Sequence, residues 1–218
     1  MEGNGLKLKR YFIKSYKDLK ENLKDFPCRD LDLVSFNKNF RWFYFEKCVE
    51  DLKINIKKRI DILLIPKRHR MFLVLVEFKT LPLKTSNNKR FLILLSAEER
   101  REKIEEYLNK WQILEKFNES LELIDKILKN KTKEKLRKLK IFLFEDNIVD
   151  KKSLSEIYKG LYNPFAEGIQ LLSRYPQFNI AEVIRETYNL FIEILKERYP
   201  DLEIHNCRRF KDFIELTE

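Results

Sequence analysis

The chain contains few of the residues that several classes of functional site require. Its 218 residues include four glycines, three cysteines and two histidines. Four glycines leave little room for a glycine-rich loop that wraps nucleotide phosphates. Two histidines, His69 and His205, make a histidine-bound metal site hard to build. The cysteines, Cys28, Cys48 and Cys207, are odd in number and widely spaced, which argues against a disulfide framework or zinc module, so we expect thiols.

Long apolar runs are also missing. The longest, residues 72–76 and 91–95, are far shorter than the roughly 20 residues needed to span a bilayer. The first ten residues, MEGNGLKLKR, lack the apolar centre of a signal peptide. We therefore expect an intracellular, cytoplasmic protein with no membrane partner.

Positive charge is in excess, with 45 Lys and Arg against 35 Asp and Glu, a net charge of +10. This is the sign expected for a partner made of phosphates. A lysine-rich, isoleucine-rich and glycine-poor composition is also what high-temperature growth or low-GC coding produces, and the 37% of charged residues fits the surface ion pairs of a thermophile. The position of the cations is therefore more informative than their number.

Three charged side chains lie within two apolar segments that read as neighbouring β-strands. The first segment, RIDILLIP at 59–66, contains Asp61, and the second, FLVLVEFKT at 72–80, contains Glu77 and Lys79. Burying an isolated charge is costly, so such acids usually have a metal ion or an opposite charge as a partner. The chemistry of the chain is expected here.

The alternation of side chains along a strand predicts how these three residues meet. Glu77 and Lys79 point to the same face of their strand. If Pro66 pairs with Phe72 across the intervening turn, Asp61 lies opposite Glu77. A shift of one residue would turn Asp61 to the other face. Two carboxylates and an ammonium are thus predicted to share one patch.

In this order, Asp61, Glu77 and Lys79 resemble the signature of the PD-(D/E)XK nuclease superfamily, an Asp on one strand and Glu-x-Lys on the next. The setting LVEFKT is similar to the family's third strand, and the resemblance covers roughly residues 40–146. It implies an α/β fold with a restriction-endonuclease-like core, a mixed central sheet flanked by helices. It also implies a hydrolase that cleaves DNA with Mg²⁺ or Mn²⁺.

The resemblance assigns roles to these residues. Asp61 and Glu77 would supply carboxylate ligands to the metal, and the carbonyl of Phe78 would join them. Lys79 would orient or help deprotonate the attacking water and would steady the developing negative charge.

Many family members add a glutamate from the helix before these strands. Residues 40–52 are predicted to form that helix, with Glu46 and Glu50 one turn apart on the same face. Glu50 is favoured because it lies nearer to the Asp61 strand. Ordinary surface charge is the alternative interpretation for both.

Basic residues flank the proposed site in the sequence. Lys and Arg contacts to the phosphate backbone are the main source of non-specific nucleic-acid affinity, although a solvated basic face gives the same pattern. The predicted nucleic-acid-binding residues are Lys57, Lys58, Arg59, Lys67, Arg68, Arg70, Lys84, Lys89 and Arg90.

The rest of the chain reads as mostly helical. Residues 96–99, SAEE, form a capping-box sequence that predicts a long helix to about Phe117. We expect a core over residues 1–150 and a helical extension over 151–218 that packs on the core and offers a homodimer surface. The further predicted elements are helices at 12–25, 119–136, 153–159, 164–174, 180–198 and 207–216, and a strand at 139–144.

Three alternatives stay open beside a DNA nuclease. A catalytically inactive nucleic-acid-binding protein would keep the basic residues and lack metal-dependent cleavage. A structural or interaction protein would use the aromatic C-terminal helices for assembly. An RNA nuclease would use the same site, since the preference for DNA over RNA comes only from the family that the sequence resembles.

Overall fold

The computed structural model describes residues 28, 40–51, 58–66, 72–80, 92, 95–128, 137–144 and 180–216. The predicted helices at 12–25, 153–159 and 164–174 lie outside these residues. In chain order the described elements are β1 (Phe40–Tyr44), α1 (Phe45–Asp51), β2 (Ile62–Pro66), β3 (Phe72–Lys79), α2 (Ala97–Trp111), α3 (Ile113–Leu128), β4 (Arg137–Phe144), α4 (Ile180–Arg198), β5 (Glu203–Asn206) and α5 (Cys207–Leu216).

The described strands form one five-stranded sheet in the order β1-β2-β3-β4-β5. The pairs β1/β2 and β2/β3 are antiparallel, whereas β3/β4 and β4/β5 are parallel. A parallel pair needs a long crossover connection, and α2 and α3 lie in the connection between β3 and β4. The predicted α/β class with a mixed sheet flanked by helices is therefore confirmed.

The register between β2 and β3 places the candidate residues. Ile62 lies opposite Val76, and Leu64 lies opposite Val74, so the register predicted from the sequence is confirmed. Asp61, however, occupies a bend just before β2 rather than a place inside the strand. Extending the register by one residue puts Asp61 beside Glu77 at the end of the paired strands.

The sheet is buried on both faces in its centre. Val74 and Val76 pack in a core cluster with Phe210 and Ile214 of α5. Because side chains alternate along a strand, Glu77 points to the opposite face, on the side of α3. All five residues of β2 are buried, which explains why the strand reads as a continuous apolar run.

Some predicted element boundaries are wrong. Residues 40–44 form β1 rather than part of a helix, and their alternate residues Phe40 and Trp42 pack into the core cluster. The predicted helix through Phe117 is broken at Gln112, whose φ of 51° lies in the left-handed region and so interrupts the helical path.

The C-terminal part was predicted to be wholly helical, which is also wrong. Residues 203–206 form β5, an edge strand of the sheet. The helices predicted at 180–198 and 207–216 are confirmed at both ends. The predicted strand at 139–144 is confirmed as the inner part of β4.

The chain divides into two compact units. The first comprises residues 1–79, 112–145 and 199–218, and the second comprises 80–111 and 146–198. Within the second unit, Arg101 Nη2 lies 2.7 Å from Glu197 Oε2, so α2 and α4 are joined by an ion pair. The segment 199–218 belongs with the sheet, while the predicted boundary at residue 150 stays a prediction.

The capping box that opens α2 is confirmed. The backbone N–H of Ser96 donates to Glu99 Oε2 at 2.9 Å, and the N–H of Glu99 donates to Ser96 Oγ at 3.2 Å. These reciprocal bonds satisfy two donors that a helix start leaves open.

The cysteines differ from expectation. Cys28 and Cys207 form a disulfide, whereas Cys48 is buried and is not part of a disulfide. The prediction of thiols is therefore wrong for two of the three, because a bond between residues 179 positions apart leaves no local sequence signal. No helix among the described residues has the length and apolar character to cross a membrane.

Candidate active site

Asp61, Glu77 and Lys79 lie together at the end of the β2/β3 pair. Lys79 Nζ is 2.5 Å from Glu77 Oε1 and 3.7 Å from Asp61 Oδ2. The structure thus brings the three principal predicted residues into one patch. Glu77 is fully buried, while the side chains of Asp61 and Lys79 are 32% and 22% exposed, so the patch reaches solvent on their side.

Asp61 is fixed by two backbone contacts. Its Oδ2 accepts a hydrogen bond from the N–H of Phe78 at 2.7 Å, which orients the carboxylate toward β3. Its backbone carbonyl accepts a bond from the N–H of Phe45, the first residue of α1, at 2.9 Å. The bend before β2 is therefore held by both α1 and β3.

Lys116 of α3 is the residue of the site that sequence reasoning missed. Its ammonium forms an ion pair with Glu77 Oε1, the same oxygen that Lys79 contacts. The signal was a lysine next to the buried stripe of α3, beside Phe117 and one turn before Ser120. The sequence predicts one helix that ends near Phe117 and another that begins at 119, so it divides Lys116 and Ser120 between two helices. In the structure the break lies at Gln112, and both residues belong to α3.

Glu77 is a buried acid with one oxygen left over. Among the described residues, Glu77 Oε2 is buried and has no hydrogen-bond partner. Burial raises the pKa of Glu77, and the neighbouring Asp61 carboxylate raises it further, against the opposing effect of Lys79 and Lys116. A buried carboxylate oxygen without a partner costs free energy, and a ligand that bound Oε2 would remove that cost.

Lys79 is held in its charged form. Burial acts to lower the pKa of Lys79, but the carboxylates of Glu77 and Asp61 outweigh it, and the net direction is upward. Its ammonium also donates to the carbonyl of Phe78 at 2.8 Å. Lys79 is thus suited to stabilise negative charge and poorly suited to accept a proton.

The oxygens of the patch match the preferences of a hard divalent cation. The Asp61 carboxylate, Glu77 Oε2 and the Phe78 carbonyl are oxygen ligands of the kinds that Mg²⁺ binds. In the part of the chain that the structure describes, no three Asp, Glu, His or Cys side chains are grouped to hold a metal ion. A cation here would therefore take its remaining ligands from water and substrate phosphate, as Mg²⁺ commonly does.

The structure describes the side chain of only one of the two helix glutamates, Glu50. Glu50 is mostly exposed, and its Oε1 lies 2.6 Å from Nη2 of Arg59. Among the described contacts its partner is Arg59, and a role for Glu50 at the patch stays a prediction. The side chain of Glu46 lies outside the described part.

Two of the predicted nucleic-acid-binding residues are described. Arg59 pairs with Glu50, and the backbone N–H of Lys58 donates to Glu119 Oε2 at 3.1 Å. Both precede Asp61 closely in the chain, so their side chains start near the patch. The seven others lie outside the described residues: Lys57, Lys67, Arg68, Arg70, Lys84, Lys89 and Arg90.

The raised pKa of Glu77 predicts a pH-dependent stability. The unfolded chain loses the proton of this residue near the ordinary value of 4.5, whereas the folded protein keeps it to higher pH. The folded state then binds more protons, so the free energy of unfolding falls as pH rises from 4.5 through the native pKa. We expect wild type to lose stability relative to Glu77→Gln over this window.

The measurement is denaturant unfolding of both proteins between about pH 5 and pH 8. The exposed Glu50→Gln variant carries the same change of charge and serves as the control. A constant difference between wild type and Glu77→Gln across the window would contradict the raised pKa.

The fold and the site together define a coarse class. The chain is an α/β protein with a mixed sheet and a partly buried cluster of acids and lysines at the end of two central strands. In comparisons with known proteins, no family model, no curated protein and no solved structure matches the chain.

Proposed function

We propose that the chain is a metal-dependent nuclease that hydrolyses DNA phosphodiester bonds at the Asp61, Glu77 and Lys79 patch. One observation carries the proposal. Two carboxylates from adjacent strand ends share the Lys79 ammonium, and the buried carboxylate keeps an oxygen without a partner among the described residues. A buried acid in this state is a fitting ligand for a cation.

The arrangement of the sheet supports the proposal. Three antiparallel strands, β1 to β3, are followed by helices and then by β4, which lies parallel to β3. The PD-(D/E)XK family, which the sequence resembles, has a core with a three-stranded meander followed by a helix and a strand. The restriction-endonuclease-like fold is therefore part of the proposal.

The residues of the patch divide the work. Asp61, oriented by the Phe78 N–H, and Glu77, through Oε2, would hold Mg²⁺ or Mn²⁺ together with the Phe78 carbonyl. When bound, the metal lowers the pKa of a water and shields the charge on the scissile phosphate. Lys79, protonated through its two carboxylate neighbours, stabilises the negative charge that develops on the phosphate and orients the attacking water.

The basic character of the chain supports a nucleic-acid substrate. A net charge of +10 attracts the phosphate backbone, with an affinity that falls as salt rises. DNA is proposed rather than RNA because the resemblance implies it.

A second candidate follows from the charge balance of the site. Lys79 and Lys116 already offset the charges of Asp61 and Glu77. A cluster in which two lysines neutralise two acids needs no bound cation. Its role would then be structural. The protein would in that case be a catalytically inactive nucleic-acid-binding or structural protein of nuclease-like fold.

Incubation with nucleic acids separates the two candidates. The substrates are single-stranded, duplex and branched DNA, with RNA of matched sequence, each in Mg²⁺, Mn²⁺ or EDTA. The nuclease proposal predicts DNA cleavage with either metal and none with EDTA. Binding without cleavage of any substrate supports the inactive alternative, and cleavage in EDTA contradicts metal dependence.

A further inference from the structure

We infer that one face of α3, formed by Lys116, Glu119 and Ser120 and called here the α3 face, positions Asp61 and Glu77 for cation binding. The inference rests on the proposed function, because it concerns the same two carboxylates. The α3 face lies outside the family signature, and we infer that its contacts fix the positions of these two metal ligands.

The three side chains of the α3 face share one side of one helix. Residues 116, 119 and 120 are separated by three and four positions, which places them together on a helix surface. They belong to the uninterrupted helix Ile113–Leu128. A helix is stiff over this length, so contacts made by one of them are fixed relative to those made by the others.

Two members of the α3 face hold the backbone that leads to Asp61. Ser120 Oγ accepts a hydrogen bond from the N–H of Ile60 at 3.0 Å, and both residues are fully buried. Glu119 Oε2 accepts a bond from the N–H of Lys58 at 3.1 Å. Residues 58–60 lie outside the described strands, so these side chains supply the acceptors that a neighbouring strand would otherwise offer.

The third member holds Glu77 directly. The Lys116 ammonium pairs with Oε1, and within the described part of the protein Oε2 is left unbonded. Holding one oxygen restricts rotation of the carboxylate, so the other oxygen keeps a fixed direction. Lys79 contacts the same oxygen from the side of β3.

The single helix α3 therefore contacts both parts of the proposed cation site. It holds the backbone just before Asp61, and it holds the side chain of Glu77. Mg²⁺ requires near-ideal octahedral geometry, so it tolerates little error in where its ligands stand. Residues that orient metal ligands typically contribute about 10–100-fold to metal affinity. The α3 face should accordingly control the affinity for the metal.

The test measures Mn²⁺ binding to the full chain by isothermal titration calorimetry, with no DNA present. Lys116→Met and Ser120→Ala are each expected to weaken Mn²⁺ binding about tenfold or more. Lys116→Arg should recover much of the loss, because it restores a cation to Glu77. The matched controls, Lys126→Met and Asn118→Ala, change exposed residues of the same helix and should stay within about twofold of wild type.

Denaturant unfolding of each variant separates positioning from mere packing. A variant that is less stable but, while folded, binds Mn²⁺ as tightly as wild type would overturn the inference. Tighter binding by Lys116→Met would also overturn it, since Lys116 would then compete with the cation. If Lys116→Met fails to fold, Ser120→Ala carries the test.

Failure of the proposed function has a different result. If wild type itself binds no Mn²⁺, the cation site is contradicted and the inference is overturned with it. If wild type binds Mn²⁺ and both test variants match it, only the inference is overturned.

Discussion

Replacement of Lys79 by alanine is expected to lower the rate of metal-dependent DNA cleavage at least about a hundredfold. The ammonium lies 2.5 Å from Glu77 Oε1 and 3.7 Å from Asp61 Oδ2, so it is within ion-pair distance of both carboxylates. Its loss removes the positive charge that would face the phosphate. Glu77 keeps Lys116 as a partner, so we expect the protein to stay folded.

Asp61→Asn should lose cleavage to a similar degree for a different reason. The amide keeps an oxygen for the Phe78 N–H but lacks the negative charge that a hard cation prefers. Mn²⁺ affinity should therefore fall for Asp61→Asn, whereas Lys79→Ala should still bind Mn²⁺. The two variants thus separate metal binding from charge stabilisation.

Single-turnover cleavage of labelled DNA by the two variants is the measurement. Lys126→Ala removes a lysine from an exposed position and controls for the change in net charge. Cleavage that survives both Lys79→Ala and Asp61→Asn would place the active site elsewhere in the chain.

Reduction of the Cys28–Cys207 disulfide is expected to lower the free energy of unfolding by about 4 kcal/mol. The bond joins residues 179 positions apart and so closes a long loop, which restricts the unfolded chain strongly. In the folded protein it ties residue 28 to the first residue of α5, and both cysteines pack at the cluster that contains Phe210.

Denaturant unfolding with and without reductant measures this effect, after the number of free thiols has been counted by mass spectrometry. The double variant Cys28→Ala, Cys207→Ala should unfold at the same denaturant concentration in both conditions. Its remaining cysteine, Cys48, is buried and is not part of a disulfide, so it holds no disulfide bond that a reductant can break. Equal stability of oxidised and reduced wild type would contradict the prediction.

The parts of the structure that depend on local pattern were predictable from sequence. The register of β2 and β3 followed from two apolar runs and the alternation of side chains, and from the sequence alone it placed Asp61 near Glu77. The start of α2 followed from the capping box at Ser96. The bounds of α4 and α5 followed from prolines and apolar periodicity.

The predictions that failed concern elements for which local sequence signals conflict or for which distant contacts decide the structure. The aromatic run of β1 fits a helix and a strand alike, and only packing of alternate residues in the core decides for the strand. Gln112 follows α2 in a left-handed conformation that glycine or asparagine usually adopts. Because glutamine is not a typical helix-ending residue, the sequence gives no sign that the helix stops there. β5 has only four residues, too few for a periodic pattern.

The candidate site shows the same division. Asp61, Glu77 and Lys79 were found because they lie within or directly next to one local pair of strands. Lys116 and Ser120 were missed because their roles depend on where α3 packs against those strands. That packing is a tertiary property which the spacing of residues does not encode.

Anomalous diffraction from crystals soaked in Mn²⁺ tests the proposed cation site most directly. The proposal predicts a peak about 2 Å from a carboxylate oxygen of Asp61 and from Glu77 Oε2, with the Phe78 carbonyl also in reach. A map without such a peak, in which Lys79 and Lys116 still hold Glu77, would contradict the proposed metal-dependent nuclease and leave a self-balanced charge cluster.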